Sequence, residues 1–397
     1  MDIQLKSGQK LTFEPRGSVL NKALQAATTD NERANALVAL GRFRISSGQI
    51  DRAMDDMRKA YKLDPRNPNV LHHYGLSQMR LGGVLAGIEN YDLGRWNVPQ
   101  HKTKYYRAFN FPSWKGQPLK GKHILLWAEQ GIGDQIMHAR SIPLLQKMGA
   151  IVSLECDPRL NTLFDRSFGN IQYFAQGTKP NPAIDKMKFD YQCSLFSSWR
   201  WANPTDKPPA YLIGDKDRTD ALKAHLLERG HKLNIGLSWS SVAKANGSTR
   251  SIQLPDMKPF FDISGLSFHS MQYGVNAQDL LSIRHKTKLP IQAIPKLDAK
   301  VDIDGLAATM QAMDLIISID NSTVHLSGAL GVPTWVMLPR SGEWRWGEHD
   351  TQTQLYSNMS LYRNKTAANW PDLTKSVAID LKVYANSKSN KKEPRTQ

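Results

Sequence analysis

The chain has 397 residues, of which 40% are hydrophobic and 22% are charged, and its formal net charge is +16. This composition is typical of a globular protein with two or three domains, and it excludes a chain that is disordered as a whole. No uninterrupted apolar run approaches the roughly 18 residues of a membrane span. The first residues lack a basic-then-apolar leader, so we expect a cytoplasmic protein.

The positive charge is spread along the sequence. Part of it lies in the C-terminal segment SKSNKKEPRTQ, and the rest is scattered without zinc-finger or RNP-type spacing. We therefore expect no nucleic-acid partner. The charge suits anionic sugar nucleotides, acidic acceptors or peripheral contact with an anionic membrane face. The two cysteines, Cys156 and Cys193, lack CxxC spacing and are predicted to be reduced core residues.

A helical repeat is predicted in the first hundred residues. Small and apolar residues recur there at the spacing of a 34-residue tetratricopeptide unit, at Leu37, Leu40, Gly41, Gly48, Ala53, Met57, Ala60 and Pro65. A weaker copy follows 34 residues later at Leu71, Tyr74, Gly75, Gly82 and Tyr91, with Gly87 and Gly94 replacing the small alanines. Gly41 and Ala53 let the paired helices approach closely, and residues 22–29 are expected to add a helix. The block either recruits a protein partner or acceptor, or caps the domain that follows.

After an aromatic and basic linker (101–121), strands and helices alternate. The first set is predicted as strands 124–128, 151–155 and 190–195 with a helix at 134–148. The second set is predicted as strands 233–239, 268–272, 315–318 and 334–338. Two consecutive sets predict an α/β fold with two Rossmann-like domains that face each other across a cleft. The expected domains are helical repeats (1–100), an N-terminal acceptor domain (101–212), a C-terminal donor-binding domain with a C-terminal helix (213–385) and a basic disordered tail (386–397).

The first polar cluster, Glu129 to Asp134, lies between a strand and a helix. Gly131 and Gly133 match half of a dinucleotide fingerprint, with Ile136 at the third position, and Glu155 ends the next strand. Asp134 at the helix start would repel a pyrophosphate, but it suits the acceptance of a proton from a hydroxyl. It also offsets the helix dipole, and the two roles are compatible.

The second cluster follows the strand at 233–239. Ser238, Trp239 and Ser240 are followed by Lys244 and Arg250. Small hydroxyl residues leave room for a ligand, and the two cations could neutralise a diphosphate. The alternative is that Lys244 and Arg250 are solvated loop residues.

The third cluster is the segment 314–338, DLIISIDNSTVHLSGALGVPTWVML. It predicts a buried strand, a polar turn, a helix capped by Asn321 or Ser322, and a second strand. The free N–H groups of the first helical turn, beside Ser322, Thr323 and His325, suit a phosphate. The alternative is an ordinary βαβ crossover with a capped helix. Trp346, in GEWRW just beyond, could stack on a sugar or base, or act in a clamp without ligand contact.

Together, AEQGIGDQIMHAR, LSWSS, RSI, SIDNSTVHLSGALGVPTWVMLP and GEWRW resemble a known family. They are similar to bacterial tetratricopeptide proteins fused to a glycosyltransferase family 9-like domain, which are relatives of the ADP-heptose:lipopolysaccharide heptosyltransferases. The resemblance covers about residues 120–375 and the helical repeat before them.

The resemblance implies a GT-B fold, with the nucleotide-sugar donor bound mainly by the C-terminal half. It implies that Asp134 activates the acceptor. It also implies a cation at Lys244 or Arg250 and a donor-binding turn formed by Asp320, Asn321, Ser322, Thr323 and His325. Asn321-Ser322 stands where heptosyltransferases usually have Thr-Gly, so the donor sugar is not carried over. The repeat block is much shorter than the arrays of protein O-GlcNAc transferases.

The sequence thus predicts metal-independent, inverting glycosyl transfer to a glycan, lipid-linked or protein acceptor, with no cofactor beyond the nucleotide-sugar substrate. Asp134 would take the acceptor proton while the Ser322–His325 helix start and a cation hold the leaving diphosphate. Trp239, Gln272 and Trp346 are expected around the base or sugar. Two alternatives stay open. One is a non-catalytic scaffold with a vestigial transferase fold, and the other is a dinucleotide-dependent oxidoreductase that uses Gly131, Gly133 and Glu155.

Overall fold

The computed structural model describes residues 2–4, 10–12, 16–98, 106–204, 209–228, 230, 233–243, 247–348, 351–366 and 369–392. The chain divides into two units. The helical unit comprises residues 1–106 and 341–348, and the sheet unit comprises residues 107–340 and 349–397. The predicted domain boundaries at 100 and 212 stay predictions.

The helical unit begins with an antiparallel strand pair, followed by five helices. They are β1 (Asp2–Gln4), β2 (Lys10–Thr12), α1 (Arg16–Ala26), α2 (Asp30–Ser46), α3 (Ile50–Leu63), α4 (Pro68–Gly82) and α5 (Val84–Arg95). A capping box of Thr29 and Glu32 begins α2, and hydrogen bonds from Thr28 and Thr29 lower the pKa of Glu32 to about 2. The helix predicted over 22–29 is observed earlier in the chain, as α1.

Helices α2 and α3 pack on each other through the same positions that α4 and α5 use, 34 residues later. A Cβ atom at Gly41 would lie 2.9 Å from Cε of Met57 and 3.2 Å from the carbonyl oxygen of Ala53. The equivalent atom at Gly75 would overlap with the backbone of Gly87 and Tyr91. The predicted close approach at Gly41 and Ala53 is therefore confirmed. In the second pair, glycine replaces alanine because the two backbones meet directly.

Segment 341–348 belongs to the helical unit. It contains a 3-10 turn, Trp344–Trp346, in which both tryptophans are buried. Arg80 of α4 forms an ion pair of 2.8 Å with Glu348 and donates to the carbonyl oxygen of Gly342. Both side chains of the pair are less than a tenth exposed.

The first half of the sheet unit contains a four-stranded parallel sheet in the order β5-β4-β3-β6. Its elements are β3 (His123–Trp127), α6 (Ile132–His138), α7 (Ile142–Lys147), β4 (Ile151–Cys156), α8 (Asn161–Phe168), β5 (Gln172–Ala175), β6 (Tyr191–Ser194) and α9 (Trp199–Ala202). The helix predicted over 134–148 is two helices joined by a 3-10 turn, Ala139–Ser141, because Pro143 opens α7. Strand β5 was not predicted.

The second half contains a six-stranded parallel sheet in the order β12-β11-β10-β7-β8-β9. Its elements are α10 (Lys216–Leu227), β7 (Leu233–Ser238), α11 (Gly247–Arg250), α12 (Lys258–Phe261), β8 (Leu266–Ser270), α13 (Ala277–Thr287), β9 (Ile291–Gln292), α14 (Ile303–Gln311), β10 (Leu315–Ile319), α15 (Ser322–Ala329), β11 (Thr334–Leu338), β12 (Met359–Arg363) and α16 (Trp370–Lys392). Strands β7 and β10 are buried along their whole length, because helices cover a parallel sheet.

Two parallel sheets preceded by a helical block confirm the predicted α/β fold class. Helix α16 extends to Lys392, into the segment predicted to be a disordered tail, and residues 393–397 lie outside the described part. The sequence prediction also missed β9, which has two residues, and β12, an edge strand of mixed burial.

The two glycines at equivalent repeat positions give a test of helix packing. Gly75→Ala places a methyl group against rigid backbone, so we expect a loss of about 1–3 kcal/mol and faster exchange in 68–95. Gly41→Ala meets mainly the flexible end of Met57 and should cost less. Hydrogen–deuterium exchange of both full-length variants measures the difference. If the amides of residues 68–95 were equally protected in Gly75→Ala and Gly41→Ala, the result would contradict the packing described.

Candidate functional site

The predicted polar clusters follow strands at which the sheet order reverses. In the first sheet, β3 is flanked by β4 and β6, and Glu129–Asp134 follows β3. In the second sheet, β7 is flanked by β8 and β10, and the segments at 238–241 and 320–325 follow β7 and β10. Ligands of open parallel sheets bind at such carboxyl ends, where adjacent crossovers diverge. Each half of the sheet unit therefore places its polar cluster at the expected position.

Gly133 brings the two strand-end clusters into contact. A Cβ atom on Gly133 would lie 3.1 Å from Cα of Ser322 and 3.1 Å from Cδ2 of His325. The first turn of α6 therefore packs directly against the first turn of α15. Asp134, the next residue, is partly exposed in this first turn. Asp134 and the N-terminus of α15 therefore lie on either side of the contact made by Gly133.

Asn321 caps α15 and ties it to the neighbouring strand. Its Oδ1 accepts from the backbone N–H of Thr323 at 3.0 Å. Its Nδ2 donates to Oγ of Ser238 at 2.8 Å and to the carbonyl oxygen of Ser240 at 3.3 Å. Of the two predicted caps, Asn321 is therefore the one observed. An amide suits this position because it caps the helix and donates across the sheet at the same time.

Gln272, at the end of β8, fixes the same loop from the other side. Its Oε1 accepts from the backbone N–H groups of Trp239 and Ser240, both at 2.9 Å, and from Ser238 Oγ at 3.2 Å. Its Nε2 donates to the carbonyl oxygens of Ser240 and Tyr273. Gln272 is 2% exposed. Its amide thus holds the loop after β7 in shape, and this role differs from the predicted contact with a base or sugar.

Arg250 lies beside the turn that begins α15. Its Nη1 is 3.2 Å from Oδ2 of Asp320, and the two side chains are 14% and 3% exposed. Its Nε is buried without a hydrogen-bond partner in the described part of the chain. This guanidinium therefore offsets the buried carboxylate and keeps a donor for a further acceptor. Lys244, the other predicted cation, lies outside the described residues.

His325 takes part in a chain of buried hydrogen bonds. Its Nδ1 is 3.0 Å from the hydroxyl of Tyr356, which is hydrogen-bonded to the hydroxyl of Tyr211. Tyr211 in turn donates to the carbonyl oxygen of Ile136 in α6 at 3.0 Å. Burial raises the pKa of Tyr211, so the hydroxyl of Tyr211 stays protonated at neutral pH.

The tyrosine link between the halves was missed by the sequence analysis. Neither Tyr211 nor Tyr356 lies in a motif, and both are far from His325 in the sequence. Only their spatial proximity reveals them. They give α15 a hydrogen-bonded path to α6 besides the contact at Gly133.

The two predicted stacking tryptophans do not share an environment. Trp239 is 6% exposed and belongs to the hydrophobic core of the second sheet. Trp346 is fully buried and belongs to the helical unit. Neither ring offers an exposed face in this structure, so the expectation that they stack on a ligand receives no support.

Glu155 bears on the oxidoreductase alternative. It is fully buried, accepts from the backbone N–H of Asn181 at 2.8 Å and lies 3.4 Å from Nε of Arg107. Burial raises its pKa, and Arg107 opposes the shift. A dinucleotide-binding acidic residue must reach a ribose hydroxyl, and Glu155 is enclosed by protein. The structure therefore argues against this alternative.

Among the described residues, no group of three or more His, Cys, Asp or Glu side chains is arranged to hold a metal ion. In the same residues, no helix has the length and apolar character needed to cross a bilayer. Cys156 and Cys193 are buried thiols that form no disulfide with each other, as predicted, and burial raises the pKa of the Cys156 thiol.

Comparison with known proteins gives one curated relative and several solved structures. No protein-family model matches the chain. The relative is Protein FlbA of Caulobacter vibrioides, 27% identical over 369 residues, which cover 87% of this chain and 60% of FlbA. The chain thus spans less than two thirds of that protein.

Three solved structures resemble the chain in part. A family 9 glycosyl transferase from Veillonella parvula is 12% identical, with a TM-score of 0.46 over 71% of this chain and 92% of that one. The ADP-heptose lipopolysaccharide heptosyltransferase II of E. coli is 10% identical, with a TM-score of 0.48 over 67% and 99%. An O-GlcNAc transferase mutant from Thermobaculum terrenum is 13% identical, with a TM-score of 0.34 over 94% and 89%. All three scores lie below 0.5.

Adjacent glycines in the α6 loop test the contact between the halves. Gly133→Ala places a methyl group against the backbone of Ser322, so we expect the sheet unit to lose about 1–3 kcal/mol of unfolding free energy. Gly131→Ala is the control, because its Cβ atom would meet nothing closer than 3.6 Å. Thermal unfolding of both variants measures the difference. A Gly133→Ala midpoint equal to that of Gly131→Ala would show that the contact is absent in solution.

Proposed function

We propose that this chain is a glycosyltransferase that moves a sugar from a nucleoside-diphosphate donor to a hydroxyl acceptor with inversion at the anomeric carbon. The observation that carries the proposal is the contact of Gly133 with Ser322 and His325. It supports the proposal because Asp134, the next residue in the chain, then follows directly on a contact with the N-terminus of a buried helix. Glycosyl transfer needs both a base for the acceptor and an electropositive site for the leaving diphosphate.

In the proposed reaction, Asp134 takes the proton of the acceptor hydroxyl. The acceptor oxygen forms a bond to the anomeric carbon as the bond from that carbon to the diphosphate oxygen breaks. The electron pair of the broken bond leaves with the nucleoside diphosphate. One displacement from the face opposite the leaving group inverts the anomeric configuration.

The leaving diphosphate would meet the start of α15. Backbone N–H groups at a helix N-terminus and the helix dipole favour an anion there. The N–H of Thr323 already bonds to Asn321, so Ser322 and the following backbone amides are the proposed donors. Arg250, and Lys244 as predicted from the sequence, would add positive charge. Asp320 holds Arg250 in place and does not react.

We propose that the two helix pairs are tetratricopeptide units. The support is the recurrence of the Gly41 contacts at Gly75, 34 residues later. The buried ion pair of Arg80 with Glu348 ties segment 341–348 to the repeats within the helical unit. A protein acceptor or partner bound through the repeats is a further part of this proposal.

Donor binding is tested by thermal shift with a panel of nucleoside diphosphates and nucleotide sugars. A ligand at about 100 times its dissociation constant should stabilise the fold by roughly 2.7 kcal/mol. We expect one base to give a shift that falls in His325→Ala and Arg250→Gln. Arg218→Gln is the control. Arg218 lies in helix α10, outside the strand-end loops, and forms an ion pair with Asp302.

If no nucleotide shifts the wild type, the donor site is absent and the non-catalytic scaffold becomes the better interpretation. A shift that stays equal in all three variants would place the nucleotide elsewhere.

Catalysis by Asp134 is tested with the nucleotide sugar that gives the shift. Asp134→Asn keeps the size of the side chain but removes the base, so release of nucleoside diphosphate should fall about 10²–10⁴-fold. The thermal shift should persist, because the diphosphate binds at α15. Asp157→Asn is the matched control, because Asp157 is also an aspartate and follows β4, the strand that pairs with β3. Turnover that survives Asp134→Asn within threefold of the wild type would rule out this base.

A further inference from the structure

A cavity lies at the edge of the second sheet, within the sheet unit. It has a volume of about 780 Å3 and is lined by strand β12, the segment 364–366, helix α16 and residues 351–352. None of the strand-end residues described above lines it. Small-molecule sites typically enclose about 300–1,000 Å3. This edge groove is therefore a candidate binding site separate from the proposed transfer site.

Asn364 is the residue that points to a ligand. Its backbone N–H donates to the carbonyl oxygen of Leu338 at 3.0 Å, which fixes the residue at the end of β12. Its side chain is 4% exposed and lines the groove, and Nδ2 has no hydrogen-bond partner in the described part of the chain. Buried amides are normally hydrogen-bonded, and one left without a partner costs about 1–3 kcal/mol. A ligand atom that accepts from Nδ2 would remove this cost.

The charges of the groove are balanced. Arg363 and Lys365 flank Asn364, while Asp372 and Asp380 line the groove from α16. Ser376, on the same helix, adds a hydroxyl. An ion of either sign would meet a like charge on one of the two sides, which are the basic end of β12 and the acidic face of α16. A neutral group that both donates and accepts hydrogen bonds, such as a hydroxyl, suits both sides.

Apolar side chains also line the groove. Leu361 and Leu373 are 5% and 8% exposed, and Tyr362, whose ring packs against Trp335, is half-buried. Burial and the neighbouring Asp380 carboxylate raise the pKa of the Tyr362 hydroxyl. Pockets that combine an apolar surface with a few polar groups orient a ligand that has one apolar face and polar edges. A pyranose ring has that form, with C–H groups on its faces and hydroxyls at its rim.

We propose that the edge groove binds a neutral oligosaccharide. Asn364 donates to a sugar oxygen, the two aspartates accept from hydroxyls, and Tyr362 with the leucines packs against a ring face. This site is independent of the proposed transfer reaction, since it shares no residue with it. It would hold a glycan whether or not the chain transfers one.

The test uses the full-length protein on an array of neutral and acidic oligosaccharides. Ser376→Trp fills the groove from an exposed helix position and leaves the core intact, and Asn364→Leu removes the buried donor. Ile379→Trp is the control, because Ile379 is 66% exposed on the same helix and does not line the groove. We expect the wild type and Ile379→Trp to bind the same neutral glycans, and both groove variants to bind them at least tenfold more weakly.

Three results would overturn the proposal: no glycan bound, only acidic glycans bound, or unchanged binding in Ser376→Trp. The nucleotide thermal shift of Ser376→Trp separates the two sites. If the shift is retained while glycan binding is lost, the groove is confirmed independently of the transfer site. If Ser376→Trp still binds glycans, the glycan site lies outside the groove. If no nucleotide binds to the wild type, the proposed function fails separately.

Discussion

The approach of helix α6 to the start of α15 is possible because Gly133 carries no side chain. A Cβ atom there would lie 3.1 Å from Cα of Ser322, closer than an ordinary van der Waals contact, and a backbone gives way less readily than a flexible side chain. The distance between the two strand-end clusters is thus set by two backbones. Asp134 is next to Gly133 in the chain, and His325, which Gly133 contacts, is hydrogen-bonded to Tyr356.

The backbone at residues 238–240 is held for a different reason. Asn321 and Gln272 form hydrogen bonds with the backbone and side-chain groups at the ends of β7, β8 and β10. Side chains that were expected to touch a ligand are used to fix the backbone around it. Preorganised groups of this kind lose less on binding, because their ordering cost is met on folding.

Much of the fold could be read from the sequence, because buried parallel strands are short apolar runs that end in polar residues. Strands β7, β10 and β11 were predicted to within about a residue for that reason. Edge strands such as β12 lack this pattern, since one side is not covered by a neighbour. The site was predictable only where its residues are close in sequence. The partners Tyr211 and Tyr356, and the burial of Trp239 and Trp346, depend on contacts between distant segments.

Segment 341–348 has a consequence for how such a protein can change over evolution. The chain passes between the two units at 106/107, at 340/341 and again at 348/349. The helical unit is therefore discontinuous, and it is not an appendage joined by a single linker. Loss of residues 1–106 would remove Arg80 and the helix against which the buried tryptophans pack, leaving Glu348 without its partner. Gain or loss of the repeats thus requires a matching change in the loop between β11 and β12, so the two parts are expected to be inherited together.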